Sequence, residues 1–229
     1  LLHQIEQIDT QIFLFFNGFH NVYWDYFMMI FSDRFVWVPF YASFIFVLLK
    51  NFPVKVVMST IVVITLIILF SDQTASGILK PLVARMRPSN PDNPISPMVH
   101  VVQGYRGGRY GFPSSHAANA WSMAFFAQYL VRRSKLTIFL CLWALITSYS
   151  RMYLGVHYFS DILIGTLIGF LYATLYYYIF QYFLRKHTER FKPNHDIRFA
   201  SVPIITGLVS IWIIICTSGI LSFYSIPLR

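Results

Sequence analysis

Long apolar runs, broken by short polar turns, set the pattern of this chain. Residues 56–71 (VVMSTIVVITLIILFS) and 199–224 (FASVPIITGLVSIWIIICTSGILSFY) contain no Asp, Glu, Lys or Arg. The second run is long enough to cross a bilayer by itself. The pattern predicts six spans, near Phe35–Leu49, Val54–Leu79, His116–Val131, Leu136–Tyr153, Tyr158–Leu184 and Phe199–Phe223. Upstream, residues 5–31 mix Phe, Ile and Met with Asn17, Asp25 and several aromatics, and read as interfacial helices. The expected fold is all-α: one polytopic domain over residues 1–229, with an interfacial region (1–34) and a transmembrane core (35–223).

Composition sharpens this picture. The 229 residues are 56% hydrophobic and only 12% charged, with mean hydropathy +0.56. Soluble domains carry about 25% charged residues, so a soluble globular class is excluded. Cys141 and Cys216 sit inside apolar runs and read as small buried hydrophobes rather than a disulfide or a metal pair. Residues Leu1–Thr10, with Glu6 and Asp9, do not read as a cleavable signal peptide. No internal repeat or low-complexity tract is visible.

Charge then orients the spans. Lys50 and Lys55, then Arg132, Arg133 and Lys135, then Arg185, Lys186, Arg190, Lys192 and Arg198 occupy three turns on one side, ten of the eighteen Lys and Arg. Cytoplasmic loops carry such an excess, so both termini and the loops 80–115 and 151–158 are expected on the outer side. These clusters are topology signals, not nucleic-acid patches. Of the other eight cations, Lys80, Arg85, Arg87, Arg106 and Arg109 crowd into one outer loop region, with Arg34, Arg151 and Arg229 elsewhere. A basic outer loop points to an anionic ligand.

Three clusters carry candidate chemistry. In "KPLVARMRP", Lys80 and Arg87 are seven residues apart, two turns if helical, so they are expected to share a face, with a helix end at Pro88. The same residues also suit ordinary interfacial snorkelling. In "RYGFPSSHAANAWSMAFF", Pro113, Ser114 and Ser115 mark a helix start with Ser114 or Ser115 at the cap. The free N–H groups of such a terminus are a seat for phosphate, and His116 stands beside it as a proton donor. In "SRMYLGVHYFSD", His157 and Asp161 are four apart, so the carboxylate can hold one ring nitrogen and leave the other as a nucleophile. Arg151 adds a fork of donors matched to phosphate oxygens. Ionisable residues at membrane depth point to function, and all three clusters fall at the outward ends of spans.

These motifs resemble the type 2 phosphatidic acid phosphatase superfamily of membrane lipid phosphatases. Lys80, six residues, Arg87-Pro88 matches its first motif. Ser150-Arg151, five residues, His157, three residues, Asp161 matches its third. The second reads Pro113-Ser114-Ser115-His116, with Ser115 where the family usually has Gly; its backbone N–H can serve the same phosphate provided the site needs no positive φ. The resemblance implies His157 as the nucleophile that forms a phosphohistidine, Asp161 as its orienting partner, and His116 as general acid and then general base. It implies Lys80, Arg87, Ser114, Ser115 and Arg151 as the phosphate clamp. No cofactor and no metal are implied, since fixed cations neutralise the equatorial oxygens.

The implied function is a metal-independent hydrolase of lipid phosphate monoesters or diphosphates, facing the periplasm or exterior from the bacterial inner membrane. Its partners are the lipid substrate and the bilayer; no nucleic acid and no obligate protein partner are expected. Arg106 and Arg109, in "YRGGRYG", belong to no motif and are free to contact a second phosphate or a sugar headgroup, with the two glycines making the stretch pliable. Undecaprenyl diphosphate and a lipid A phosphate are the expected substrates; phosphatidylglycerol phosphate and phosphatidic acid are alternatives. The rivals are a vanadium haloperoxidase, against which the spans argue, and a non-catalytic lipid-phosphate binding or transport protein on the same scaffold.

Overall fold

The structure, a computed structural model, describes residues 2–187 and 197–227. Arg190, Lys192 and Arg229 of the charge pattern lie outside the described residues. Among those residues the ordered elements are helical: α1 (Leu2–Asn17), α2 (Val22–Phe31), α3 (Val38–Asn51), α4 (Val54–Asp72), α5 (Lys80–Val83), α6 (Ser115–Val131), α7 (Ser134–Tyr153), α8 (Phe159–His187) and α9 (Val202–Tyr224). A 3-10 turn, Arg34–Trp37, leads into α3, and a π-helical stretch, Gln73–Leu79, joins α4 to α5.

The all-α membrane architecture stands, but the six spans do not all qualify. Four helical runs are long and apolar enough to cross a membrane: Val54–Val83, Ser134–Tyr153, Phe159–Leu184 and Val202–Tyr224. Val22–Phe31 with Arg34–Asn51, bent by 63°, makes a fifth if the pair is one span. The expected third span, α6, has 17 residues. At 1.5 Å per residue that is about 26 Å, short of the ~30 Å hydrocarbon layer.

α6 is the centre of the bundle, packed on α4, α7 and α8, while α9 leans on α2 and α3. Its contact with α8 is the closest. A Cβ placed on Gly165 would lie 2.4 Å from the Ser114 carbonyl oxygen, and one on Gly169 would lie 2.5 Å from that of Ala118. The sequence G-T-L-I-G thus lets two backbones touch, as small residues four apart do between membrane helices. Ala117, Ala118 and Ser122 supply the matching small surface on α6. Elsewhere the core is aromatic, with Trp37, Phe40 and Trp143 in mutual ring contact.

α1 and α2 are tied to the long loop 84–114. The buried Asn17 amide donates to the carbonyls of Tyr153 (2.8 Å), Met152 (3.2 Å) and His100 (3.1 Å), and its oxygen accepts from the His100 N–H (2.8 Å). Asp25 accepts from the Tyr153 hydroxyl at 2.7 Å and contacts His100 at 2.9 Å. The polar residues that set 5–31 apart in the sequence therefore satisfy buried backbone at one end of the bundle.

Candidate active site

The loop-bearing end of the bundle gathers the three motifs. Helix α5 stops at Ala84, which adopts a left-handed conformation (φ 49°) and caps the helix through its N–H to the Lys80 carbonyl. The chain then leaves helical geometry, and Met86 pairs with Tyr110 in an isolated antiparallel bridge. Lys80 and Arg87 therefore do not share a helical face, and the helix ends five residues before Pro88. A left-handed turn replaces the expected second turn of helix and carries Arg87 under the loop 104–111.

Each clamp residue has a defined place. The half-buried Lys80 Nζ donates to Ser76 Oγ (3.1 Å) and Ser115 Oγ (3.4 Å). Ser114 is the N-cap of α6 and accepts from the Ala117 N–H. Ser115 opens the helix without a positive φ, so the side chain it carries in place of glycine is accommodated. Arg87 and Arg151 are buried, and the Nε of each has no hydrogen-bond partner. Buried guanidinium N–H groups without acceptors are rare, and two together, beside free N–H groups at a helix start, form a seat for an anion. Arg151 also donates to the Tyr105 hydroxyl at 3.0 Å.

The histidines sit on either side of this seat. His157 is 1% exposed. Its Nδ1 lies 3.2 Å from Asp161 Oδ2 and its Nε2 lies 3.2 Å from an Arg87 terminal nitrogen. Because Arg can only donate, this network assigns the proton to Nδ1 and a lone pair to Nε2. Burial, with the Arg87 and Arg151 guanidinium groups beside it, holds His157 well below the usual histidine range, so the ring is neutral. His116, at the second position of α6, is exposed to a cavity in the bundle. Arg151, Arg87 and Lys80 lie within electrostatic reach of its ring.

Several supporting residues escaped the motif reading. Asp161 Oδ2 also accepts from the Tyr158 N–H at 3.0 Å, a capping contact at the start of α8. Arg85 binds Asp161 (3.3 Å), Ser160 (2.7 Å) and Asp9 of α1 (2.8 Å), and lies 3.7 Å over the Tyr158 ring. Asp9 in turn accepts from the Ser160 N–H (2.9 Å) and hydroxyl, so a carboxylate from α1 sits on the free N–H groups of α8.

Arg106 and Arg109 occupy the roof of the site. The Arg106 guanidinium donates to the Ser89 carbonyl and to Ser96 Oγ (3.2 Å), so the loop already engages it. Arg109 lies 5.6 Å from the Tyr110 ring centroid and is exposed. Of the two glycines between them, Gly107 is structural rather than pliable, whereas a Cβ on Gly108 would meet nothing within 4 Å. Gly107 (φ +67°) lies flat against the Arg87 guanidinium, 3.1 Å from where its Cβ would stand. Gly111 comes equally close to Asp161.

A family model for the PAP2 superfamily matches residues 55–185, from α4 to the end of α8 and across every motif residue. The chain belongs to the PAP2 superfamily. It is a lipid phosphatase of that family, a hydrolase of phosphoester bonds. A lipid A 4'-phosphatase of Bacteroides thetaiotaomicron is 44% identical over 92% of this chain and 95% of its own length. A lipid A 4'-phosphatase of Porphyromonas gingivalis is 33% identical over 79% of this chain and 76% of its own. In fold, the chain resembles the crystal structure of Aquifex aeolicus LpxE, with TM-score 0.56 and 22% identity, over 74% of this chain and 94% of that one.

Proposed function

We propose that this phosphatase removes a phosphate from lipid A, at the outer face of the bacterial inner membrane, through a phosphohistidine. Of the two substrates expected from the sequence, the relatives favour lipid A and lend no support to undecaprenyl diphosphate. The observation that carries the reading is the neutral, Asp161-held His157 beside two guanidinium groups with unpaired Nε atoms. The phosphate displaces Arg87 from Nε2 and takes its N–H groups, with those of Arg151, the Lys80 ammonium and the α6 N-terminus, as ligands for its equatorial oxygens. The Nε2 lone pair attacks phosphorus while the bond to the sugar oxygen breaks, and His116 gives that oxygen a proton. His116 then takes a proton from water, which attacks the phosphohistidine, breaks the P–N bond and frees inorganic phosphate. Arg109 is an exposed cation placed to meet a second anionic group of the substrate.

Fixed cations carry the charge in this scheme, so turnover is expected to survive chelators and to be blocked by vanadate, a mimic of the five-coordinate phosphoryl state. The deciding experiment is phosphate release by detergent-solubilised protein from lipid A, undecaprenyl diphosphate, phosphatidylglycerol phosphate and phosphatidic acid. Lipid A is expected to give the highest kcat/KM. Preference for any of the other three overturns the substrate, and loss of activity in EDTA restored by Mg²⁺ overturns the mechanism.

A further inference from the structure

The cavity that meets His116 continues down the inside of the bundle between α3, α4, α6 and α7. It encloses about 430 Å³. Its walls are mostly apolar, with Leu48, Ile61, Ile64 and Met123 at depth, and Arg34 and Asp72 also line it. Ser115 and His116 belong to its lining, so the cavity is continuous with the phosphate seat.

Two wall residues break the apolar character. Asn119, one turn below His116 on the same face of α6, makes no side-chain hydrogen bond, and its buried Oδ1 has no partner. Whichever way the amide is turned, one of its ends remains unpaired. Across the cavity on α7, the Nε1–H of Trp143 is buried without an acceptor, although its ring packs on Trp37, Phe40 and Tyr41. Unpaired polar atoms at membrane depth are costly. The amide and the indole N–H are two separate polar points on the wall of an oily cavity. With a rise of 1.5 Å per residue, Asn119 lies about 6 Å below the start of α6. That depth corresponds to the first few bonds of a chain attached close to the phosphate.

We propose that this cavity receives one acyl chain of the substrate, and that Asn119 binds a hydrogen-bonding group near the head of that chain, such as a hydroxyl substituent. The proposal rests on the lipid A reading and names what selects among acylated sugar phosphates. A plain hydrocarbon chain leaves the Asn119 amide unpaired, whereas a hydroxyl can pair with it.

The test uses two synthetic acylated glucosamine phosphates that differ only in one chain, hydroxylated near its head in one and plain in the other. The full-length protein in detergent is assayed for phosphate release from each. Wild type is expected to prefer the hydroxylated lipid about tenfold in kcat/KM, the worth of one well-made hydrogen bond at roughly 1.4 kcal/mol. Asn119→Leu and Asn119→Ala are each expected to bring that ratio close to one. Two substitutions of different size guard against one that fails to fold. Equal turnover of the two lipids by wild type overturns the inference alone. So does a ratio that survives in the folded variants. No release from either lipid by wild type overturns the lipid A reading itself.

Discussion

Helix α6 presents two opposite solutions to membrane packing on its two sides. Toward α8 the backbones touch, and at Gly165 and Gly169 not even a methyl group fits. Toward α3, α4 and α7 the same helix faces about 430 Å³ of open space. The closed side fixes the reacting groups, because α6 carries Ser114 and His116 while the start of α8 carries Asp161 and follows His157. The open side leaves room for a lipid. Chemistry that depends on sub-ångström placement is built on the seam that cannot breathe, and the variable, oily part of the substrate is given the seam that was never closed.

This contrast orders the expected effects. On the closed side, His157→Ala is expected to lower kcat by a thousandfold or more with the fold retained, since the nucleophile itself is gone. Phosphate-release kinetics on a variant of normal thermal stability check it, and turnover near wild type removes the phosphohistidine route. Asp161→Asn is expected to cost less, as it disturbs orientation and leaves the nucleophile in place.

Next comes the seam itself. Gly165→Leu forces α6 and α8 apart, and a displacement of about 1 Å between the two histidines is expected to cost on the order of a hundredfold in kcat. It also overpacks the bundle by about 1–3 kcal/mol. Unchanged kcat would mean that helix spacing does not set the site geometry.

On the open side the effect is smaller and of a different kind. Met123→Trp places bulk in the cavity seven residues below His116. The ratio of kcat/KM on a long-chain lipid to that on a short-chain analogue is expected to fall about tenfold. Equal losses on both substrates would show that the cavity and the seam are not separable.

The smallest effect is in stability. His157 is held below the usual histidine range by burial and by its arginine neighbours, so the unfolded chain binds a proton on acidification that the folded protein refuses. Stability is then lost as pH falls through the unfolded value near 6.5. Between pH 7 and pH 5 the Tm of wild type is expected to drop a few degrees more than that of His157→Gln, by thermal unfolding in detergent. Parallel profiles would show that the ring titrates alike in both states.

How legible each side was from sequence differs for the same physical reason. Motif spacing narrowed the cap to Ser114 or Ser115 and placed His157 within reach of Asp161, because both relations are local and span four residues or fewer. The Lys80–Arg87 relation was misread as helical, since nothing in K-P-L-V-A-R announces the left-handed Ala84 that ends α5. Gly107 was read as pliable because a glycine that lies on a guanidinium and one that lets a loop bend look alike in a string of letters. Arg85 was counted only among the cations of the outer loop, and its partner Asp9 is 76 residues away. The cavity was invisible altogether. It is made by what four helices fail to fill, and apolar periodicity reports which faces are buried, not whether they meet.

The ion pair between Asp9 and Arg85 bears on how such proteins can be taken apart and recombined. The family match begins at residue 55, yet the carboxylate on the first N–H groups of α8 comes from α1. The block that holds every motif residue therefore borrows part of its electrostatic frame from the segment in front of it. A chimera joining the first fifty residues of one relative to the remainder of another inherits a mismatched frame unless an acid at position 9 travels with an arginine at position 85, and the unit of exchange is that pair rather than the motif block.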